Sequence, residues 1–225
     1  ELDVLLVLHP KNLPKSTEEA IQQYTRQGGK LIIFIDPFAE GDPTAPDPST
    51  PGVLPNLSSN PKELLASWGV EMASRKVVVD PTTAVNVNFG TPEGARKILY
   101  LPWIQIRVPH ISSESLFTRG LSVLNIGSAG SLRITSGASK LSHQILLSTT
   151  KDSGLINSQD IIKTGNPSEL FTKYVKDEQA HAIAMHISGE LSNLNRELTD
   201  TSFEGNSQKT RNGEEQKLDV LIVTD

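Results

Sequence analysis

The chain has 225 residues, a formal charge of −5 at pH 7 and no cysteine. That length buries a full core in one large domain or two small ones, and the missing thiols exclude disulfides, thiolate metal sites and every cysteine nucleophile. The acidic excess is small and no basic block stands out, so the footprint of a nucleic-acid binder is missing, and no apolar run approaches the roughly 18 residues of a membrane span.

Residues 4–8 form a continuous apolar run closed by His9-Pro10. Residues 16–27 are polar and helix-favouring, with Ser16 or Thr17 as N-cap and Glu18-Glu19 in the first turn, where they suit the helix dipole. Ala20, Ile21 and Tyr24 give this helix one apolar face, and Gly28 is its expected left-handed C-cap. Residues 31–35 are a second apolar run, ending in Asp36-Pro37. Strands apolar on both faces belong to parallel sheets covered by helices, which predicts a βαβ unit. A right-handed crossover carries both strand ends to one edge of the sheet. His9 and Asp36 then sit side by side where α/β proteins bind ligands.

From Pro37 to Pro61 the composition changes: seven prolines alternate with Asp, Ser, Thr and Gly. So long an irregular stretch is read as a proline-rich loop, 37–61. A short helix follows through Leu64, Leu65 and Trp68, closed by Gly69. Residues 76–79 are a short strand stopped by Asp80-Pro81, and a second polar loop runs to about Arg96. The middle of the chain is richer in strand: 98–101 and 104–108 on either side of Pro102, then 121–126, 132–134 and 145–149. Residues 168–175 are predicted helical and 180–187 a strand. Residues 192–217 are strongly polar without apolar periodicity, a loop excursion or a disordered segment. Residues 218–223 restore a buried strand that ends at Thr224-Asp225. With strands at both ends, the chain is read as a single soluble α/β domain, 1–225, cut from a longer protein.

Motifs with chemistry of their own are scarce. No G-x-G-x-x-G follows the first strand and no G-x-x-x-x-G-K-[ST] occurs, so no phosphate cradle and no cofactor are expected. Gly127-Ser128-Ala129-Gly130 comes nearest and is read as an ordinary turn. His181 and His186 lie five apart on a predicted strand and point to opposite faces, a poor arrangement for a shared metal. Asp36, Glu40, Asp42 and Asp47 form an acidic group on the proline-rich loop. Oxygen ligands there would suit a hard cation, but the spacing matches no calcium loop, so they are read as solvated charge and no metal is expected. No Ser, His and Asp set has the G-x-S-x-G context of a nucleophile elbow. A hydrolase acting on a sugar or ester would need paired carboxylates, for which Asp36 and Asp80 are candidates. Asp-Pro at a strand end is equally plain turn grammar. A solute-binding protein would show two lobes and a hinge, and no such pattern is seen.

The string from Asp3 through His9-Pro10-Lys11, then Gly28-Gly29-Lys30-Leu31 and Phe34-Ile35-Asp36-Pro37-Phe38, resembles a family. So do Leu64-Leu65-Ala66-Ser67-Trp68-Gly69-Val70, Val78-Val79-Asp80-Pro81 and the segment from Ala182 to Ser188-Gly189-Glu190. The resemblance is to the auxiliary component of ABC-type transport systems associated with bacterial gliding motility, and it spans nearly the whole chain. One departure is Glu190, where relatives more often carry a basic residue. The resemblance implies an extracytoplasmic, periplasmic domain of an inner-membrane protein, anchored by segments outside this chain, beside an ABC permease and ATPase. It also implies a flavodoxin-like, class I glutamine amidotransferase-like fold, a mostly parallel central sheet flanked by helices with extra strands from the middle of the chain. Amidotransferase chemistry needs a cysteine at a strand-to-helix elbow, and none is present, so fold likeness is not carried over into activity. The expectation is a non-catalytic domain that binds transporter subunits, other cell-envelope proteins, or a surface polysaccharide or peptide. The expected contact is the strand crest at His9, Asp36 and Asp225.

Overall fold

The computed structural model describes residues 2–91, 94–136, 141–190 and 217–225. In chain order the elements are β1 (Val4–Leu8), α1 (Lys15–Arg26), β2 (Lys30–Ile35), α2 (Lys62–Ser67), β3 (Val70–Met72), β4 (Lys76–Val79), β5 (Ala84–Thr91) and β6 (Gly94–Arg107). They continue with β7 (Val123–Gly127), β8 (Leu132–Ile134), β9 (Ser142–Ser148), β10 (Gly154–Asn157), α3 (Ser158–Lys163), a 3-10 turn over Pro167–Thr172, β11 (Ala182–Glu190) and β12 (Lys217–Thr224).

The opening βαβ unit forms as its sequence predicts, except that α1 begins at Lys15 with Pro14 in the N-cap position, so neither Ser16 nor Thr17 caps it. β1 and β2 pair in parallel, Val4 opposite Lys30 and Leu8 opposite Phe34, with α1 between them in the chain. Gly28 takes the left-handed conformation at the end of α1 (φ +83°), which costs a residue without Cβ little. β12 adds to β2 in parallel, Val220 opposite Leu31 and Thr224 opposite Ile35.

Beyond those two pairings the sheet departs from expectation. Its strand order is β1-β2-β12-β11-β8-β3, with β9 also on β11, and every pairing past β12 is antiparallel. The mostly parallel, flavodoxin-like or amidotransferase-like sheet flanked by helices is therefore incorrect: the fold is mixed α/β with mostly antiparallel sheets. The physical reason lies in what covers the strands. On one face α1 supplies Ile21 and α2 supplies Leu64 and Leu65, with Trp68 just past its end, against Leu31, Ile33, Val220 and Ile222. On the other face strands take the place of helices: Ile104, Ile106 and Ile126 pack against Leu146, Ile183 and Ala184, with Leu221 and Val223 alongside. A strand such as β12 is apolar on both faces because it lies between a helix layer and a strand layer. Apolar runs alone do not distinguish that sandwich from a doubly wound sheet. β1 departs further, as an edge strand whose Val4, Leu6 and Leu8 are 43%, 54% and 63% exposed.

The strand layer is an antiparallel meander, β5-β6-β7. The expected polar loop up to Arg96 is in fact largely β5, whose alternation Val85, Val87, Phe89 is interrupted by asparagines. The two short strands expected around Pro102 are one strand, β6. The proline is accommodated where the pairing shifts, Ala84 facing Ile104 while Val85 faces Tyr100, as expected for a residue that cannot donate to the ladder. β4 has its predicted span but lies outside the main sheet, paired with β10. These two strands share a third core with Phe38, Leu101, Ile161 and Leu170. The helix expected over 168–175 is the shorter 3-10 turn, capped by the Asn166 side chain, which accepts from Ser168 N. A bulge between β11 and β9 turns Ala182 and Met185 toward the helix side and Ile183 and Ala184 toward the strand side. The loop over 37–61 is irregular as expected and is closed at its base by a bridge between Asp36 and Ser59. Most of the polar excursion read at 192–217 lies outside the described residues. Among the described residues no helix is long and apolar enough to cross a membrane.

Candidate functional site

Three neighbouring parallel strands deliver their ends to one edge. Leu8, Phe34 and Val223 are aligned across β1, β2 and β12. His9 N donates to Phe34 O at 3.0 Å and Asp225 N to Ile35 O at 3.1 Å, carrying the ladder one step past each strand. His9, Asp36 and Asp225, placed together on sequence grounds, thus line one pocket of about 620 Å³. The rest of its wall comes from Lys11, from residues 38–44 of the proline-rich loop, and from Trp103, Gly127 and Ser128 of the strand layer.

The polar groups form two linked sets. In the first, the two ring nitrogens of His9 lie 2.8 Å from Asp36 Oδ2 and 3.2 Å from Asp42 Oδ2. Lys11 Nζ donates to Asp42 Oδ2 at 2.6 Å and to Thr44 Oγ1 at 2.7 Å, while Thr44 N donates to Asp42 Oδ1 at 2.9 Å. The Lys11 ammonium, and then the Thr44 donors, hold the Asp42 carboxyl far below the usual carboxylate range. In the second set Glu40 accepts from Trp103 Nε1 at 2.9 Å, from Tyr100 OH at 3.2 Å and from Ser128 Oγ. Burial, followed by the Glu40 charge, pushes the Tyr100 hydroxyl well up, so it stays a donor. One link joins the crest to the strand layer: Gly127 N donates to Asp225 Oδ1 at 2.7 Å.

In the pocket, the carboxyls of Asp36 and Asp225 have raised affinity for a proton. Burial is the main cause at Asp36, only partly offset by His9, and the Asp225 charge raises it further. Asp225 is an exposed residue, yet the protein atoms crowding its carboxyl push it up against the opposing effect of the Gly127 N–H. Two lining residues, His9 and Ser128, hold left-handed backbone conformations at φ +46° and +52°. For side chains with Cβ this costs of order 1 kcal/mol each and concentrates where a fold holds a side chain against local preference.

Other sequence candidates lie elsewhere. Asp80 is fully buried and accepts from Thr82 N at 3.0 Å and Thr150 N at 2.9 Å. It does not line the pocket, so the carboxylate that neighbours Asp36 there is Asp225. Asp47 makes its own turn with Ser49. His186 pairs with Asp219 at 2.9 Å on the sheet face. His181 is buried between Ser131 Oγ and Asp177 Oδ2, each at 2.9 Å. Among the described residues no group of three His, Asp or Glu side chains is placed to hold a metal ion.

Sequence reasoning missed Lys11, Trp103, Gly127 and Ser128, and read Glu40 and Asp42 as solvated charge. Asp42-Pro43-Thr44 carried a signal, because Asp followed two residues later by Thr builds a side-chain turn that fixes the carboxylate. Gly127-Ser128 carried none, since nothing local says which strand end the turn faces.

The family described as "ABC-type uncharacterized transport system" matches this chain over residues 1–225. The chain belongs to that family. Its place there is as an auxiliary component of an ABC-type transport system. No curated protein matches the chain at a significant level. Among solved structures the mmIFT52 N-terminal domain is similar at a TM-score of 0.43 and 11% identity, over 99% of this chain and 65% of that one. The chain therefore spans about two thirds of that structure's length, and a likeness this weak carries no argument about the family member described above.

Proposed function

We propose that this auxiliary component is an extracytoplasmic, non-catalytic binding domain of its transport system, and that it takes a surface polysaccharide in the crest pocket. The observation that carries the reading is the composition of that pocket. Asp36 and Asp225 face a space large enough for a sugar unit, beside Trp103, whose side chain is held by Glu40 yet leaves the residue 42% exposed. An aromatic platform next to fixed acceptors suits a ligand that offers flat C–H faces and many hydroxyl donors. The family membership and the resemblance to gliding-motility auxiliary components support a site beside an ABC permease and ATPase in the cell envelope.

Titration of the chain with cell-surface polysaccharide fragments, followed by calorimetry, tests this. Binding is expected, with Trp103→Ala and Asp225→Ala each weakening it about tenfold or more while circular dichroism stays unchanged. Absence of heat with every glycan tried, or binding untouched by both substitutions, would refute the proposed ligand. A hydrolytic reading is favoured by one observation, that Asp36 and Asp225, two carboxyls with raised proton affinity, line the same pocket. Chain shortening of the same polysaccharides, lost in Asp36→Asn, would replace binding with catalysis.

A further inference from the structure

β1 closes one side of the main sheet, and among the described residues nothing pairs with its outer edge. Because His9 N donates to Phe34 O, the odd-numbered residues of β1 turn their backbone groups toward β2. Backbone direction alternates along a strand, so Val4, Leu6 and Leu8 direct both N–H and C=O outward. Their side chains are the exposed ones as well. Beside them on the same face, Ile32 and Phe34 are only half-buried. An open edge is ordinarily protected by charge, proline or a bulge. Val4-Leu5-Leu6-Val7-Leu8 contains none of these.

We propose that β1 pairs antiparallel with β1 of a second copy, about a two-fold axis through Leu6, joining the two main sheets edge to edge. The identity of the occupant follows from the strand's own sequence. In this register Leu6 faces Leu6 and Val4 faces Leu8 of the second copy. All three outward-directed residues then fall in hydrogen-bonded pairs, and their side chains form one apolar stripe across the axis. Charge agrees with the direction. Asp3 precedes the strand, and antiparallel pairing carries the two Asp3 side chains to opposite ends of the paired strands. A parallel pair would set Asp3 beside Asp3, which like charges oppose.

Sedimentation equilibrium of the 225-residue chain tests the pairing, with twice the monomer mass of 24.5 kDa expected. Leu6→Lys places two cations opposite each other on the axis and is expected to weaken the dimer about tenfold or more, with the far-UV circular dichroism of the folded chain unchanged. Since the chain has no cysteine, Leu6→Cys supplies a clean second arm. Cα atoms of a hydrogen-bonded antiparallel pair lie about 5.5 Å apart, within disulfide reach. Mild oxidation should therefore link Leu6→Cys chains covalently. Leu8→Cys chains, whose two copies of position 8 stand about 13 Å apart, should stay unlinked. A monomer at every concentration overturns the proposal, as does a dimer that Leu6→Lys leaves intact and Leu6→Cys fails to link.

Discussion

Asp36 and Asp225 hold protons more tightly than free carboxyls, Asp36 mainly because it is buried and Asp225 because protein atoms crowd the carboxyl of an otherwise exposed residue. The sign of the consequence follows from linkage. A carboxyl whose folded value is raised binds more protons in the native than in the unfolded chain, so its contribution to stability is present at low pH and falls as pH rises through the raised value. Asp225→Asn removes that fall and keeps the Oδ1 acceptor for Gly127 N. Melting temperatures measured from about pH 3 to pH 7 should match the unsubstituted chain at the acid end and equal or exceed it at the neutral end. A variant that is less stable at neutral pH would show the ionised carboxyl to be the favoured form. His181 illustrates the opposite case: burial outweighs its Asp177 partner and lowers its affinity for a proton. The neutral ring then donates to one neighbour and accepts from the other, a structural use of a Ser, His and Asp set with both oxygens at 2.9 Å. At this scale the sequence was legible where a residue ends a strand, as at His9, Asp36 and Asp225. It was silent at Ser128 and Trp103, which reach the pocket only through the packing of one sheet on another.

Elements were legible in proportion to how local their causes are. β1, α1, β2 and β4 follow from short apolar runs and their Gly and Pro punctuation, and β4 has the predicted span. Which sheet β4 joins was not legible, because its partner β10 lies far along the chain and offers only Gly-Leu-Ile-Asn. β5 was hidden by its polar positions, which face solvent on an outer strand. Gly154, at the start of β10, shows how tightly such non-local elements fit. A Cβ there would lie 2.1 Å from Val175 O, a backbone atom that no rotamer change moves aside. Gly154→Ala is expected to destabilise by about 1–3 kcal/mol, read by urea denaturation. Gly41→Ala, with open space around its position, should lie within about 0.5 kcal/mol of the unsubstituted chain. Equal effects at the two glycines would show that the Val175 segment yields freely.

At the scale of the whole molecule, helices cover one face of the main sheet and a second sheet covers part of the other. Composition and apolar patterning fit this arrangement and a doubly wound one equally well, since each buries a strand such as β12 on both faces. What separates them is the direction of β11 against β12, fixed by Ala184 facing Val223 and Glu190 facing Lys217, which is a property of long-range pairing rather than of any segment. The two layers also place the two tryptophans in contrasting surroundings. Trp68 is 2% exposed beneath the helix layer, and Trp103 is 42% exposed at the pocket rim. The protein therefore carries its own optical label. Emission from Trp68 should be blue-shifted and shielded from iodide, and emission from Trp103 red-shifted and readily quenched. A ligand entering the pocket should shield the second without disturbing the first, and Trp103→Phe should abolish the response, so occupancy can be followed by the light of a single side chain.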